Sequence, residues 1–295
     1  MRALVTGSHG QLGHALRSRI ERGDAPDAWH GAEVDWVDLG ELDISDAAAV
    51  DAWFASAWPY DVVINCAAMT NVDGCEADFA AAFAANALGP MNLARACRDQ
   101  GATLVHVSTD YVFPGDQPGE RAEGDAPAPI SAYGRSKLAG EGLALAANPL
   151  THVVRTAWLY GDGRNFVATM LRLGATHDSV TVVDDQLGNP TSAHDLAGEL
   201  LRIALTDEYG VWHCTNEGTC SWADLAEEAF RLAGVPCEVR RCTSAEWKAI
   251  NPQAADRPHF SSLANARLEA TIGNRMRPWR EALADYLEHR QTQEV

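Results

Sequence analysis

The chain has 295 residues, of which 46% are hydrophobic and 22% are charged, so it can form one large globular domain or two smaller ones. Its formal net charge of −18 argues against binding to nucleic acid or to an anionic membrane, because both require a basic face. The sequence has no apolar run of the roughly 18 residues that cross a membrane and no leader before the first strand. Its seven cysteines show no regular spacing. We therefore expect a cytoplasmic protein with reduced thiols.

A glycine-rich turn stands between the first predicted strand and the first predicted helix. The strand covers Arg2–Thr6 and the helix covers residues 14–22; Gly7, Gly10 and Gly13 lie between them as Gly-x-x-Gly-x-x-Gly. In this context the glycines allow a tight turn, a close approach of the backbone to a pyrophosphate, and close helix packing. The free N–H groups of the helix N-terminus attract a phosphate. The pattern predicts a dinucleotide site, which also includes Gln11 and Leu12.

The second predicted strand, Glu33–Val37, precedes the residue that bears on the choice of cofactor. Asp38 follows it directly, and a carboxylate there can accept hydrogen bonds from a ribose 2′-hydroxyl and would repel a 2′-phosphate. This favours NADH over NADPH. Asp35 is a rival for the role, and either carboxylate could instead be a solvated loop residue. Asp43 and Ile44, further along, are placed to flank an adenine.

The third predicted strand, residues 61–68, ends in small residues that leave room for a flat ligand across the end of the sheet. The residues predicted to contact the cofactor here are Ala67, Ala68, Met69 and Thr70. The next helix, predicted over residues 79–98, contains Asn86 just before a Gly-Pro pair. Two interpretations of Asn86 stay open. Its amide satisfies a kinked backbone, or it anchors a water that relays protons to Lys137.

The main candidate catalytic residues lie at the end of the fourth predicted strand and in a helix predicted over residues 132–147. Tyr133 and Lys137 are four residues apart in that helix and therefore lie on one face. A nearby ammonium favours the ionised phenol, so we expect Lys137 to lower the pKa of Tyr133 and make it a better proton donor. Ser108 and Thr109, at the end of the strand, are expected to hold the reacting oxygen beside Tyr133.

Strands and helices alternate up to residue 161, which predicts an α/β fold with a doubly wound parallel sheet of the Rossmann type. Beyond that point come short strands, proline-rich turns and further helices. A strand over residues 210–214 is expected to return to the main sheet. We predict a dinucleotide-binding domain of residues 1–160 and 192–215, and a smaller, interleaved α/β substrate domain of residues 161–191 and 216–295.

A series of segments gives the chain a family resemblance. They are residues 108–115 (STDYVFPG), 133–141 (YGRSKLAGE), 155–161 (RTAWLYG), Asn165-Phe166, Asp185-Gln186 through Pro190-Thr191, and Arg257-Pro258. In these segments and their order, the chain resembles the extended short-chain dehydrogenase/reductase superfamily and, within it, the dTDP-4-dehydrorhamnose reductase family. The resemblance covers nearly the whole chain.

The resemblance implies transfer of a hydride from NADH or NADPH to C4 of a dTDP-linked 4-keto-6-deoxy sugar, converting dTDP-4-dehydro-L-rhamnose to dTDP-L-rhamnose. Tyr133 would donate the proton, and Lys137 would lower its pKa and hold the nicotinamide ribose. Thr109 would replace the usual active-site serine, and Val107 would complete the cofactor contacts. The residues implied in substrate binding are Thr109, Asp110, Trp158, Asn165 and Arg257, the last as the candidate for the nucleotide pyrophosphate.

Several alternatives stay open at this point. Dehydration on the same scaffold typically needs a glutamate after Asp110, where this chain has Tyr111, whereas epimerisation needs room for the sugar to flip. A reductase of a related keto-sugar, as in the dihydrostreptose pathway, is another candidate. A non-catalytic nucleotide-binding regulatory subunit is a third, although the intact Tyr133, Lys137 and Thr109 argue against it. Some members of the family bind Mg²⁺ at a dimer contact through glutamate side chains. The position of the N-terminal glutamate of that set is Ala15 in this sequence. The sequence therefore shows neither where a metal would bind nor whether the protein is a homodimer.

Overall fold

Six parallel strands form the central sheet of the molecule. Numbered in chain order with the other strands, they are β1 (Arg2–Thr6), β2 (Glu33–Val37), β3 (Val62–Asn65), β4 (Thr103–Thr109), β5 (Thr151–Thr156) and β10 (Gly210–His213). Their spatial order is β2-β1-β3-β4-β5-β10, and all neighbours are parallel. The computed structural model, which describes residues 1–293, therefore confirms the predicted doubly wound sheet.

Helices cover both faces of this sheet. They are α1 (Gln11–Arg22), α2 (Ala47–Ser56), α3 (Val72–Ala77), α4 (Phe79–Phe83), α5 (Gly89–Gln100), α6 (Ala132–Ala147) and α8 (Ala193–Ile203). Successive side chains of β1 point to opposite faces, as the geometry of a strand requires. Ala3 and Val5 pack in the apolar cluster that contains α1 and α8 residues, whereas Leu4 packs in the cluster of α2 and α5. Both faces of the sheet are therefore buried, which explains why its strands are apolar throughout.

The chain beyond β5 builds a second, smaller α/β part. Its elements are β6 (Leu159–Tyr160), α7 (Phe166–Gly174), β7 (Ser179–Val183), β8 (Leu187–Gly188), β9 (Thr191–Ser192), β11 (Cys220–Ser221), α9 (Trp222–Ala233), β12 (Glu238–Cys242), α10 (Ser244–Ile250), α11 (Ala266–Thr271) and α12 (Trp279–Gln293). Its strands pair two by two: β7 with β12, β8 with β11, and β6 with β9. Tyr160, Val167 and Leu225 belong to a separate apolar cluster in this part.

The domain division predicted from the sequence stays a prediction, and two observations bear on it. β10 joins the central sheet beside β5, as expected for the strand over residues 210–214. Leu268 and Met276, which the sequence assigned to the substrate domain, pack instead in the apolar cluster of α1 and α8. The last two residues of the predicted range 216–295 lie outside the described residues.

Two helix boundaries differ from the predicted ones for local reasons. α1 begins at Gln11 rather than at residue 14, because Gly10 is its N-cap and the glycine pattern is already partly helical. The helix predicted over residues 79–98 is divided by a π turn at Ala84–Leu88, which separates α4 from α5. Such a turn inserts an extra residue and changes the direction of nearby side chains. Asn86 lies inside it.

The seven cysteines are free, as expected. Cys97 is buried, whereas Cys66 is only partly buried and lines the main cavity. Burial raises the pKa of the Cys66 thiol to about 12, so it stays protonated. Among the helices of residues 1–293, none is long and apolar enough to cross a membrane. The same residues contain no group of three or more His, Cys, Asp and Glu side chains placed to hold a metal ion.

Candidate active site

A cavity of about 1290 Å³ opens at the carboxyl ends of the central strands, where ligands bind in doubly wound sheets. Its volume exceeds the roughly 300–1,000 Å³ of a pocket for one small ligand, so it has room for a dinucleotide and a second molecule. The predicted residues that line it are Gly7, Gly10, Gln11, Leu12, Asp38, Asp43, Ile44, Ala67, Ala68, Met69, Thr70, Val107, Thr109, Asp110, Tyr133, Lys137, Trp158 and Arg257. Gly13, Asn86 and Asn165 are not part of this lining.

The glycine-rich turn has the shape that a dinucleotide requires. Gly7 has a φ of 67°, and a Cβ there would lie 2.7 Å from the Ala67 nitrogen. A Cβ on Gly13 would lie 2.5 Å from the Ser8 carbonyl oxygen, so this glycine allows α1 to approach the turn. Gly10 is the N-cap of α1, without a side chain over the free N–H groups of the helix. The turn therefore leaves its backbone open to a phosphate, and it fits the cofactor predicted from the sequence.

Asp38 lies at the cavity edge, and its carboxylate binds the glycine-rich turn. Its Oδ2 accepts a hydrogen bond from the His9 N–H at 2.9 Å. The rival Asp35 has other partners: its Oδ2 accepts bonds from the Tyr60 hydroxyl at 2.6 Å and from the Arg2 guanidinium at 2.8 Å. Asp35 is also absent from the cavity lining, whereas Asp38 belongs to it. The role of Asp38 in cofactor choice stays a prediction.

The segment between β2 and α2 forms the wall predicted to hold adenine. Asp43 Oδ1 accepts bonds from the N–H and the hydroxyl of Ser45, at 2.9 and 2.7 Å, and these bonds fix the turn. Ile44 is buried, and a Cβ on Gly89 would lie 2.7 Å from its Cδ1. Gly89 therefore allows α5 to pack closely behind this wall. The adenine contact itself stays a prediction.

Tyr133 and Lys137 both line the cavity from α6, whose N-terminus is capped by Ser131. The Lys137 ammonium donates a hydrogen bond to the Val107 carbonyl oxygen at 2.7 Å, which fixes its position at the end of β4. Burial lowers the pKa of Lys137 to about 8, and the Glu141 carboxylate opposes this shift. Lys137 therefore still carries most of its charge at neutral pH.

The predicted lowering of the Tyr133 pKa is wrong in direction. Burial raises the pKa of Tyr133, and the nearby Asp110 adds to the increase, whereas the Thr109 hydroxyl opposes it. Desolvation of the phenolate is the largest cause, although the Tyr133 side chain is only partly buried and lines the cavity. The phenol therefore keeps its proton at neutral pH, which is the state that a proton donor needs.

The hydroxyl groups of Ser108 and Thr109 do not act as the predicted pair. Ser108 Oγ donates to Glu141 Oε1 at 2.6 Å, and the Arg155 guanidinium donates to Glu141 Oε2 at 2.7 Å. All three of these side chains are buried. Thr109 Oγ1 instead donates to Asp110 Oδ1 at 2.9 Å, and Thr109 lines the cavity together with Tyr133. Thr109 is therefore the hydroxyl beside the proton donor, and Ser108 belongs to a buried ion pair.

The side-chain amide of Asn86 holds the backbone of Met69. Asn86 Oδ1 accepts the Met69 N–H at 2.8 Å, and Nδ2 donates to the Met69 carbonyl oxygen and to Ser136 Oγ, each at 3.0 Å. Both N–H donors are therefore used within the protein. None of these partners belongs to the kinked helix that contains Asn86, so the amide does not satisfy that backbone and instead joins the helix to the loop after β3 and to α6. A water relay to Lys137 stays an untested prediction.

Asp110 is a buried carboxyl group, with 2% of its surface exposed. Its Oδ1 accepts a bond from the Thr109 hydroxyl at 2.9 Å, while the buried Oδ2 has no partner within hydrogen-bond distance in the described chain. Burial raises the pKa of Asp110 to about 7, although Ser261 and Thr109 oppose the shift. An unsatisfied buried acceptor costs roughly 1–3 kcal/mol. A ligand hydroxyl in the cavity would satisfy it.

Arg257 lines the cavity from the loop after α10. Its Nη2 contacts Asp73 Oδ1 at 3.2 Å, and its positive charge opposes the increase that burial causes in the pKa of Tyr111. The same Asp73 oxygen accepts the Ala255 N–H at 2.8 Å. The loop that presents Arg257 is thus tied to α3. A guanidinium held in this way can bind paired phosphate oxygens.

Trp158 has a left-handed backbone with a φ of 46°, which no other non-glycine residue in the described chain adopts. Such a conformation costs roughly 1–3 kcal/mol, so the surrounding packing must hold it. Its indole stacks on Trp222, with ring centroids 3.6 Å apart and planes 7° apart, and Phe166 lies 4.6 Å from Trp222. All three rings line the cavity. We call Trp158, Trp222 and Phe166 the aromatic wall.

Asn165 does not line the cavity, in contrast to its predicted contact with substrate. Its Oδ1 accepts the Ala168 N–H at 2.8 Å, so it is the N-cap of α7. Its Nδ2 donates to the Gly161 carbonyl oxygen at 2.7 Å and to the Tyr286 hydroxyl at 3.2 Å. The side chain therefore orients α7, which begins at Phe166, and acts on the aromatic wall only indirectly.

Comparison with known proteins identifies the family. The family model described as RmlD substrate binding domain matches residues 1–292. The chain belongs to this family. A dTDP-4-dehydrorhamnose reductase from Mycobacterium tuberculosis is 44% identical over 294 residues, covering 97% of this chain and 92% of that protein.

Two solved structures extend the RmlD-family comparison to the whole fold. A dTDP-4-dehydrorhamnose reductase from Clostridium acetobutylicum is 45% identical with a TM-score of 0.93, covering 99% of this chain and 100% of that one. A dTDP-4-dehydrorhamnose reductase from Bacillus anthracis, in complex with NADP, is 35% identical with a TM-score of 0.91, covering 98% and 99%. The six-stranded sheet and the smaller part are therefore common to this chain and these RmlD-family structures.

The cavity of this RmlD-family chain also contains residues that the sequence did not single out. Trp222 and Arg164 line it, and Asp73 holds Arg257 at its edge. Phe166, which the sequence includes in the resemblance without giving it a role, also lines it. The sequence signal near Trp222 is a helix cap, Ser221, which fixes the start of α9 but not what that start faces. Only the tertiary fold brings this helix start to the cavity.

Proposed function

We propose that this protein catalyses the NAD(P)H-dependent reduction of the C4 keto group of dTDP-4-dehydro-L-rhamnose, which gives dTDP-L-rhamnose. The observation that carries the proposal is the arrangement of Thr109, Tyr133 and Lys137 in one cavity, in a chain that matches dTDP-4-dehydrorhamnose reductases over nearly its full length. The protein is therefore an oxidoreductase of dTDP-rhamnose biosynthesis. Its cavity has room for both a dinucleotide and a nucleotide sugar.

The residues that would hold the dinucleotide lie along one side of the cavity. Gly7 and Gly10 would face the pyrophosphate, Asp43 and Ile44 the adenine, and Lys137 the nicotinamide ribose. The bound nicotinamide supplies the hydride, while the protein provides binding and orientation. The relative from Bacillus anthracis was solved with NADP, which supports a cofactor of this class.

Tyr133 donates its proton to the C4 oxygen of the sugar. Its phenol is protonated at neutral pH because desolvation raises its pKa, and the Thr109 hydroxyl, which lines the same cavity, would hold the reacting oxygen beside it. Once the proton has left, the phenolate is a buried charge and needs a counter-charge. Lys137 supplies it, since its ammonium is fixed by the Val107 carbonyl oxygen at 2.7 Å. The cation thus acts mainly on the state after proton transfer.

Two features of the cavity suit a nucleotide sugar. Asp110 Oδ2 is a buried acceptor without a partner in the described chain, and a sugar hydroxyl would provide one. Arg257 would bind the diphosphate, because its planar guanidinium matches paired phosphate oxygens. We place the sugar next to Trp158, at the aromatic wall. In this assignment residues 161–191 and 216–295 form the substrate domain.

We expect kcat/KM to fall as the pH rises through about 8. Burial lowers the pKa of Lys137 to about 8, so the ammonium is present below that pH and is lost above it. Without the cation the Tyr133 phenolate is not stabilised, and the protonated form is therefore the active one. A profile of kcat/KM from about pH 6 to about pH 10 checks this. A level profile up to the alkaline end would contradict the role of Lys137.

Replacing Asp38 with Ala should narrow any preference for NADH over NADPH, by roughly tenfold in the ratio of the two kcat/KM values. The substitution removes an acceptor for the 2′-hydroxyl and a charge that repels the 2′-phosphate. The matched control is Asp35→Ala. The Asp35 carboxylate is bound to Arg2 and Tyr60, so its removal should leave the ratio of the two kcat/KM values unchanged. An unchanged ratio in the Asp38 variant would remove this residue from the ribose site.

The experiment that tests the proposed function is NADH and NADPH oxidation by the purified protein with dTDP-4-dehydro-L-rhamnose generated in situ. The product is identified by mass and by the stereochemistry of its sugar. Formation of dTDP-L-rhamnose supports the proposal, whereas a different sugar product indicates a related keto-sugar reductase. Tight cofactor binding without oxidation would favour a non-catalytic subunit. The same assay with and without Mg²⁺, and sedimentation of the protein, test the Mg²⁺ dependence and the homodimer that the sequence leaves open.

A further inference from the structure

The aromatic wall joins residues that lie far apart in the sequence. Trp158 follows β5, Phe166 is the first residue of α7, and Trp222 is the first residue of α9. Trp158 and Trp222 are stacked almost parallel, with centroids 3.6 Å apart. Close stacking of this kind orients one ring against the other. The position of the Trp158 indole is therefore set largely by a residue of the smaller α/β part.

A second contact restricts the position of the Trp158 indole. Gly188, in β8, has no side chain, and a Cβ there would lie 2.6 Å from Cε2 of the Trp158 ring. The indole therefore lies between the backbone of β8 and the face of Trp222. Because the backbone of Trp158 is in the left-handed region at a φ of 46°, these contacts must maintain a conformation that the residue alone disfavours.

Trp222 itself is held firmly at the start of α9. Ser221 caps the helix and forms a capping box with Asp224, and Ser221 Oγ donates to Asp184 Oδ1 at 2.7 Å. Arg241 bonds to Asp184 at 2.6 Å and to Asp224 at 2.8 Å, so it joins β12 to both acids. This network fixes the helix start, and with it the indole that faces the cavity.

From this geometry we infer that Trp222 is a positioning residue for substrate recognition. It holds the Trp158 indole in the orientation that contacts the sugar of the nucleotide substrate, and it takes no part in proton or hydride transfer. The inference rests on the proposed function for the identity of the substrate. In structural terms, Trp222 acts on the substrate through Trp158. Substitution of Trp222 should therefore not weaken substrate binding further once Trp158 has been replaced.

The test compares variants by equilibrium binding of dTDP-L-rhamnose to the protein loaded with oxidised cofactor. Trp222→Leu keeps an apolar side chain but cannot stack, and it should weaken the Kd about tenfold. The affinity for NADP and NAD should stay unchanged, because their predicted contacts lie elsewhere in the cavity. Trp222→Phe retains an aromatic face and should recover most of the affinity. Trp222→Ala is a second disrupting variant, and a thermal melt confirms that each variant is folded.

A double-mutant cycle gives the decisive readout. Trp158→Ala and Trp222→Leu should each weaken dTDP-L-rhamnose binding, and the double variant should be no weaker than Trp158→Ala alone. The stacked indoles should also give an exciton couplet in the circular dichroism spectrum that both single variants abolish. The control is Trp58→Ala, because Trp58 is 78% exposed. This variant should preserve both dTDP-L-rhamnose binding and the exciton couplet.

Several outcomes would overturn the inference. An unchanged Kd in Trp222→Leu, additive effects in the double variant, or failure of the wild type to bind dTDP-L-rhamnose each contradict it. The turnover assay with dTDP-4-dehydro-L-rhamnose is read separately. A wild type that binds the product and shows the predicted non-additivity, but does not oxidise NADH or NADPH, would overturn the proposed function and leave the role of Trp222 standing.

Discussion

Replacing Tyr133 with Phe should lower kcat with dTDP-4-dehydro-L-rhamnose by roughly 10²–10⁴-fold, the usual contribution of a positioned acid. The change removes the hydroxyl that would donate the proton but keeps the ring, which lines the cavity. That ring packs edge-on against Tyr111, with centroids 5.9 Å apart, and phenylalanine can make the same contact. Cofactor affinity should therefore be largely preserved. The measurements are kcat at saturating substrate and the Kd of the cofactor.

Tyr111→Phe is the matched control for this experiment, because it removes a phenol hydroxyl from the same cavity. Tyr111 lines the cavity together with Arg257, whose charge influences the pKa of its phenol, so loss of the Tyr111 hydroxyl should act on the KM for the nucleotide sugar more than on kcat. If Tyr133→Phe turned over at the wild-type rate, Tyr133 would not be the proton donor. If the two variants lowered kcat equally, the loss would be caused by the reduced polarity of the cavity and not by removal of a specific proton donor.

The parts of the fold that the sequence predicts well are those with strong local signals. β2 and α6 have the bounds expected from their residues, Glu33–Val37 and Ala132–Ala147. A short apolar run next to a turn determines the strand, and an Ala- and Leu-rich run after the Ser131 cap determines the helix. Because parallel strands end at one edge of the sheet, local signals also predict that the glycine-rich turn, Asp38 and residues 67–70 lie at the cavity.

The parts that the sequence did not predict depend on contacts between distant segments. The π turn at Ala84–Leu88 brings Asn86 to Met69, and no periodicity of the sequence indicates it. Asn165 lies in a telling motif, yet its side chain caps α7. Trp222 looked like an ordinary residue at a helix start. Each of these depends on which element packs opposite, and tertiary packing is not encoded in a local pattern.

The direction of the Tyr133 pKa shift was missed for a related reason. The i,i+4 spacing correctly predicts that Tyr133 and Lys137 share a face of α6. Spacing carries no information about desolvation, which depends on the whole surrounding structure and here raises the pKa of the phenol. The same burial lowers the pKa of Lys137. Both shifts favour the neutral form of the group concerned.

Replacing Glu141 with Ala should destabilise the folded state by about 3–5 kcal/mol. Glu141 and Arg155 are an ion pair at 2.7 Å whose side chains are 3% and 4% exposed. Removal of the carboxylate leaves the Arg155 guanidinium buried without its counter-charge and the Ser108 hydroxyl without its acceptor. Urea unfolding of the two proteins at pH 7 measures the difference.

Glu228→Ala is the matched control, since it also breaks a glutamate–arginine pair at 2.7 Å. Arg231, its partner, is 66% exposed, so its guanidinium stays solvated when the Glu228 carboxylate, itself 16% exposed, is removed, and the loss should cost only about 0–1 kcal/mol. Equal effects of the two substitutions would mean that the Glu141–Arg155 pair is no more important than a surface pair. A loss confined to the Glu141 variant would support a structural role of this pair beneath the active site.

Glu141→Gln separates that structural role from an electrostatic one. Glutamine has nearly the same size and can still accept the Ser108 hydroxyl, but it carries no charge. The Glu141 carboxylate opposes the lowering of the Lys137 pKa by burial. Its neutralisation should therefore lower that pKa further, so the alkaline fall in kcat/KM should move to a pH below that of the wild type. A fall at the wild-type pH in a folded Gln variant would mean that Glu141 supports the structure without tuning Lys137.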